Sequence, residues 1–94
     1  MSEHFNRLTP AQAERLAMLA EECGEVIQVV GKILRHGYES YHPNDPTTTN
    51  RDLLTHELSD LHGVVLMMEG DFALIDATAQ EKAFKKKLRY AHHQ

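Results

Sequence analysis

The sequence predicts an all-α fold: a helical bundle of three main helices per chain, completed by oligomerisation. Three segments show the helical spacing of apolar residues, and turn-forming residues separate them. No segment alternates apolar and polar residues as a half-buried strand does. The 94 residues are enough for a single domain, placed at 1–94. A domain this small buries a modest core, so self-association would add to its stability.

The first predicted helix has strong signals at both ends. Thr9 is the expected N-cap, Pro10 occupies the first helical position, and Gln12 completes a capping box. The helical pattern then continues to His36, and Gly37 is expected to end the helix.

The other two helices are bounded less sharply. Residues 37–50 combine glycine, proline, asparagine, aspartate and threonine, which predicts a loop. Asn50 is the expected N-cap of a second helix that ends at Gly70. A third helix is expected to begin within residues 71–76 and to run to about Ala91.

Apolar residues on the first helix cover more surface than the rest of so short a chain could bury. The stripe predicted to face the core comprises Leu16, Leu19, Ala20, Cys23, Ile27, Val30 and Leu34. A neighbouring apolar stripe comprises Met18, Val29 and Ile33. A helix that is apolar over so much of its circumference is usually buried in a larger assembly. The prediction is therefore a homodimer or homotetramer.

Composition narrows the class of protein. The net charge of −4 argues against a general nucleic-acid binder. The only cysteine, Cys23, cannot form an intrachain disulfide, which fits a cytoplasmic protein, and the N-terminus lacks the apolar run of a signal peptide. No apolar run is long enough to span a membrane, so no membrane partner is expected.

Two pairs of carboxylates carry the strongest functional signal. Glu22 with Glu25, and Glu57 with Asp60, are each spaced i,i+3, so the members of a pair lie side by side on a helix. Glu57 also falls within the apolar stripe of the second helix, which comprises Leu53, Leu61, Val64 and Met68. A buried, unpaired charge is strongly unfavourable, so a cation is expected beside it.

The ordinary interpretation of such pairs is a solvated helix surface. Two features count against it: the residues at i±4 are not Lys or Arg, and the same spacing recurs on consecutive helices. Two antiparallel helices could bring all four acids around one point. Oxygen-only ligands favour a hard cation, so the predicted metal is Mg²⁺, with Mn²⁺ as the alternative. A di-iron site is disfavoured, because position 60 is Asp where the Glu-x-x-His motif of such bundles has His.

The predicted third helix has a basic face. Its members recur at i, i+3, i+4 and i+7 and are Lys82, Lys85, Lys86 and Arg89. One interpretation is a solvated surface with favourable charge near a helix C-terminus. The other is a phosphate clamp, because an acidic metal site and a separate basic stripe together can hold a metal–polyphosphate substrate. Lys32 and Arg35, late in the first helix, could extend that clamp.

The acidic motif resembles that of a known family. Glu21-Glu22-Cys23-Gly24-Glu25, followed by Glu57-Leu58-Ser59-Asp60, is similar to the EExxE…ExxD signature of the MazG-like nucleotide pyrophosphohydrolases. The surrounding segments LAEECGEVIQVVGKILRHG and NRDLLTHELSDL resemble short phage and bacterial members, and the likeness covers most of residues 16–90.

The resemblance implies a fold, a reaction and a set of roles. It implies an all-α NTP pyrophosphatase-like dimer or tetramer that hydrolyses a nucleoside triphosphate to the monophosphate and pyrophosphate with Mg²⁺. It makes Glu22, Glu25, Glu57 and Asp60 the metal ligands and Glu21 an acid that orients water or binds a further metal. In the mechanism that we expect for such a site, Glu21 or Glu22 orients the attacking water. Substrate binding is expected from the basic residues described above, Lys32, Lys82, Lys85 and Lys86, although the segment KAFKKKLRY resembles the basic helix of the family only loosely.

Two other functions fit the same residues. One is a non-enzymatic helical interaction or regulatory module that binds metal or nucleotide without hydrolysis. The other is a purely structural bundle, whose melting temperature Mg²⁺ would not change.

Overall fold

The computed structural model describes residues 6–71 and 76–93. Within these residues the fold is all-α, as predicted, and no strand forms. An isolated antiparallel bridge joins Tyr41 to Thr49 in the long connection. The three helices are α1 (Pro10–His36), α2 (Asn50–Met67) and α3 (Ala77–Tyr90).

Helix α1 has the predicted bounds. The Thr9 hydroxyl accepts the Gln12 N–H at 3.1 Å, and the Gln12 side chain accepts the Thr9 N–H at 2.9 Å. The helix ends where Gly37 takes φ = 90°, a region that glycine enters without steric cost. The Gly37 N–H closes the last turn on the Ile33 carbonyl at 2.7 Å.

The predicted N-cap of α2 is wrong by one residue. Thr49 caps the helix, because its hydroxyl accepts the Asp52 N–H and the Asp52 carboxylate accepts the Thr49 N–H in return. Asn50 is instead the first helical residue, and only 6% of it is exposed. Its side-chain amide donates to the Gly37 carbonyl at 3.1 Å, which ties the start of α2 to the end of α1.

Helix α2 also ends earlier than predicted, at Met67 instead of Gly70. The Met68 N–H is shared between the carbonyls of Val64 and Val65, at 3.2 and 3.1 Å. Such sharing tightens the last turn and stops the α-helical pattern, so the chain turns before it reaches the glycine.

Helix α3 begins at Ala77, where the Asp76 carboxylate accepts the Ala79 N–H at 3.0 Å. Its first helical residue thus lies one position beyond the predicted range, with Asp76 as the cap, and its end at Tyr90 agrees with the predicted end at about Ala91. Every residue in it is exposed. Among the described residues, α3 does not pack against α1 or α2. The packed unit of the described chain is therefore an antiparallel hairpin of α1 and α2.

The core lies between α1 and α2, and it uses the second apolar stripe of α1. Val29 is 6% exposed and Met68 is 1% exposed. The stripe predicted to face the core is wrong for the single chain, because Ile27 is 71% exposed and Leu34 is 82% exposed. Cys23, expected to fill space in the core, is exposed as well. The physical reason is that α1 is apolar on two sides but packs against one helix, which covers one side.

Contacts at both ends hold the hairpin together. Arg15 and Asp71 form a two-bond ion pair, with both nitrogen–oxygen distances at 2.8 Å. At the other end, the Arg51 guanidinium lies 4.3 Å from the Tyr38 ring centre and bonds Glu39 at 2.7 Å. The middle of the hairpin is thereby held in one register. In the described ranges, no helix combines the length and apolarity needed to cross a membrane.

Candidate metal centre

The four predicted metal ligands meet in the middle of the hairpin. Glu22 and Glu25 on α1 face Glu57 and Asp60 on α2. One carboxylate oxygen from each residue lies within 4.8 Å of the corresponding oxygens of the other three. This is the convergence that the i,i+3 spacing predicts for two antiparallel helices. The group is called the acid cluster below.

The acid cluster is partly withdrawn from water. Glu22, Glu25 and Glu57 are half-buried, while Asp60 is exposed. The Oε2 atoms of Glu22 and Glu57 are buried and have no hydrogen-bond partner within residues 6–71 and 76–93. A buried carboxylate oxygen without a donor is unfavourable, so these two atoms call for a cation or a proton.

Close contact between carboxyl groups and burial raise the pKa of two members of the acid cluster, Glu57 and Glu22. For Glu57, a hydrogen bond with Glu25 is the largest cause of a raised pKa, followed by burial and by the charges of Glu25, Asp60 and Glu22. For Glu22, burial is the largest cause of the raised pKa, and the charges of Glu25 and Asp60 add to it. Both shifts show that the site disfavours four bare negative charges.

Nothing in the described chain neutralises this charge. The ion pairs of residues 6–71 and 76–93 join Arg15 to Asp71, Arg51 to Glu39, and Lys85 to Glu81. None of them includes a member of the acid cluster. Four carboxylates from two helices, with two orphaned oxygens, form a donor set that fits a hard dication such as Mg²⁺ or Mn²⁺.

The remaining predicted site residues lie in three places. Glu21 is exposed on α1 beside the acid cluster, and its charge contributes to the raised pKa of Glu22. Lys32 lies further along α1 and lines a cavity near the connection to α2. The third group is on α3, away from the hairpin, and comprises Lys82, Lys85 and Lys86. Within one chain, the structure therefore does not bring these three lysines to the acids, and their role in substrate binding stays a prediction.

The cavity beside Lys32 was missed by sequence reasoning. It has a volume of about 440 Å³, and its walls include Lys32, Arg35, His36, Ser40, Asn50 and Leu53. We call it the loop cavity. The available signal was the basic segment Lys32–His36 directly before a long connection. The enclosure itself depends on how that connection folds back, which no local pattern specifies.

Comparison with known proteins adds no family assignment. No protein-family model, curated protein or solved structure matches this chain. The likeness to the MazG-like signature therefore stays a prediction, and the acid cluster is the feature of the molecule that bears most directly on function.

Proposed function

We propose that this protein is a Mg²⁺-dependent nucleoside triphosphate pyrophosphohydrolase. It would convert a ribo- or deoxyribonucleoside triphosphate to the monophosphate and pyrophosphate in the cytoplasm, either to remove aberrant nucleotides or to adjust the composition of the nucleotide pool. The observation that carries the proposal is the convergence of four carboxylates, two of which have a buried oxygen without a partner. The EExxE…ExxD pattern supplies the substrate class.

The acid cluster would hold the metal. Its carboxylates come from two helices fixed in one register, so the ligands are already close together before any ion arrives. When bound, Mg²⁺ would polarise the phosphate oxygens and lower the pKa of a coordinated water. The cluster therefore supplies both the affinity for the ion and the place where substrate phosphates are bound.

Glu21 and Glu22 are the residues proposed to act on the attacking water. Glu21 is exposed and is not one of the four converging acids, so its carboxylate is free to accept a proton. Glu22 lies next to it in the sequence, and its half-buried carboxylate reaches the acid cluster, so it is the second candidate for this role. Either residue would orient the water and take its proton, which then passes to solvent.

The reaction exchanges one phosphorus–oxygen bond for another. The water oxygen bonds to the α-phosphorus, and the bond from that phosphorus to the bridging oxygen breaks. The electron pair leaves with pyrophosphate, whose charge Lys32 helps to offset. Lys82, Lys85 and Lys86 would contribute if α3 of one chain lies near the acid cluster of another, in the homodimer or homotetramer proposed here.

The test is product chromatography after incubation with Mg²⁺ and each of the eight common nucleoside triphosphates. Glu57→Gln should abolish turnover, because it removes a ligand without changing side-chain size. Losses of roughly 10²–10³-fold accompany removal of a single stabilising group at other sites. Glu69→Gln is the matched control, since Glu69 is an exposed acid beyond the end of α2.

Each outcome separates the candidates. Equal amounts of monophosphate and pyrophosphate, lost in Glu57→Gln and kept in Glu69→Gln, support the proposal. Full activity in Glu57→Gln would remove the metal-site argument. Nucleotide binding in a calorimeter without any product would instead favour a non-enzymatic module that uses the same acids.

A further inference from the structure

The loop cavity lies along the same helix faces as the acid cluster. Lys32 follows Glu25 by seven residues on α1, which places it on the same side and about 10 Å further along the axis. Leu53 precedes Glu57 by one turn of α2, about 6 Å along its axis. Both Lys32 and Leu53 line the cavity. The cavity therefore begins one to two helical turns from the acids, on the side of the α1–α2 connection.

The α1 wall of the loop cavity carries positive charge that the chain does not neutralise. Lys32, Arg35 and His36 form this wall. In the described part of the chain, neither Lys32 nor Arg35 takes part in an ion pair. A lysine ammonium and the planar fork of an arginine are the two side chains that proteins most often use to bind phosphate.

The connection between α1 and α2 contributes one acid to the lining of the loop cavity, Asp45. Hydrogen bonds from Thr48 and Thr47 hold the pKa of this carboxyl below its usual range, and the Thr47 hydroxyl lies 2.8 Å from it. Its charge is thus stabilised by hydroxyls of its own loop. Because Asp45 is stabilised in this way, Lys32 and Arg35 remain available to bind an anion from solution.

We propose that the loop cavity binds the terminal phosphates of the substrate and the pyrophosphate that is released. The inference depends on the proposed function, because it requires a triphosphate whose α-phosphate is held at the acid cluster. The phosphate chain then extends along α1 to Lys32 and Arg35, and the nucleoside lies on the far side of the acids from the loop. A volume of about 440 Å³ is within the range of small-molecule sites.

The test is calorimetric titration of the metal-free protein with inorganic pyrophosphate. We expect binding that weakens as salt is raised. The double variant Lys32→Met/Arg35→Met should weaken it by about tenfold or more, the loss expected for charge-assisted hydrogen bonds. The control, Arg7→Met/Lys87→Met, also removes one arginine and one lysine, but from exposed positions outside the cavity. It should bind pyrophosphate as the parent does.

A second measurement locates the ligand. Pyrophosphate should shift the amide resonances of Ser40 and Thr48 in a nitrogen–proton correlation spectrum, because both residues border the cavity. Largest shifts on the lysines of α3 would overturn the inference. Binding of a free nucleoside that needs Lys32 and Arg35 would also overturn it, because the cavity would then be a nucleoside subsite.

Failure of this inference can be told from failure of the proposed reaction. If the protein hydrolyses a triphosphate but the variant Lys32→Met/Arg35→Met binds pyrophosphate as tightly as the parent, the inference is wrong and the proposed reaction is still supported. Pyrophosphate binding that depends on both residues, without hydrolysis of any triphosphate, supports the loop cavity as a phosphate-binding site but removes the reaction, and with it the assignment of pyrophosphate as a product.

Discussion

Two groups of charged side chains join the two arms of the hairpin, and they differ in whether the chain supplies a cation for their acids. At one end of the hairpin, Arg15 and Asp71 meet through two bonds of 2.8 Å, so the acid has its cation within the chain. In the middle, four acids meet, and none of the described cationic side chains pairs with them, so that two of their oxygens have no partner among the described residues. The pKa of Asp71 is lowered by its hydrogen bond with Arg15, whereas the pKa of Glu57 is raised by the proton that its carboxyl can share with Glu25 and by burial.

The difference separates charges that stabilise the hairpin from charges that weaken it. The Arg15–Asp71 pair stabilises the folded state, because each partner is more favourable there than in the unfolded chain. The acid cluster opposes folding until something positive arrives. A chain that retains such a cluster in its packed middle gains from a ligand, and this is the physical basis for the proposed metal.

The largest expected effect is stabilisation by Mg²⁺. A ligand that binds only the folded state at one hundred times its dissociation constant stabilises it by about 2.7 kcal/mol. Thermal unfolding followed by circular dichroism, with Mg²⁺ against EDTA, measures this. A melting temperature that does not respond to Mg²⁺ or Mn²⁺ would mean that the acids meet for another reason.

Glu57→Gln should have opposite effects with and without metal. Without metal, the amide removes one of four crowded charges, so the melting temperature at neutral pH should rise. With Mg²⁺, the variant should lose most of the stabilisation that the parent gains. A lower melting temperature of Glu57→Gln without metal would contradict this, because it would mean that the Glu57 carboxylate makes a net favourable interaction in the folded protein.

The metal-free protein should have an acidic optimum of stability. Glu22 and Glu57 have raised pKa values, so their contribution is present below the ordinary pKa of glutamate and is lost as pH rises through the folded-state pKa. Asp45 and Asp71 have lowered pKa values, so their contribution is lost as pH falls below the ordinary value. The maximum should lie between about pH 4 and pH 5. Mg²⁺ should move the pH of maximum stability upward. Melting temperatures measured from acidic to neutral pH, with and without Mg²⁺, test this, and a maximum at the same pH in both series would contradict it.

Asp71→Asn should change the melting temperature less than the substitutions in the acid cluster do. The change should be a decrease, whereas Glu57→Gln without metal should give an increase. The melting temperature should fall, and the shift caused by Mg²⁺ should be unchanged, because Asp71 is not a member of the acid cluster. Glu81→Gln breaks the exposed Lys85–Glu81 pair and should change neither quantity measurably. Loss of the Mg²⁺ shift in Asp71→Asn would show that the two charge groups are coupled.

Local signals were sufficient for part of this structure. The bounds of α1 follow from a capping box at Thr9 and a glycine at Gly37, both of which act within a few residues. The convergence of Glu22, Glu25, Glu57 and Asp60 also follows, because helical spacing fixes which residues share a face.

Other features depend on contacts between segments far apart in sequence. Both sides of α1 are apolar, so choosing Val29 over Ile27 for the core requires knowing where α2 lies. Thr49 and Asn50 are both good caps, and the choice follows from the bond of the Asn50 side chain to Gly37. The loop cavity forms only when the connection folds back over Lys32, so its shape was not predictable from spacing alone.

Helix α3 has a further consequence for measurements on this protein. Its 14 residues have no packing against α1 or α2 in the described ranges, and Phe84 is 63% exposed. An isolated helix of about that length is only marginally populated in water, because nucleation is unfavourable and few bonds follow it. The helix content of this segment should therefore rise when another molecule or another copy of the chain packs against it. Ellipticity that grows with protein concentration would indicate that the cover is another copy of the chain.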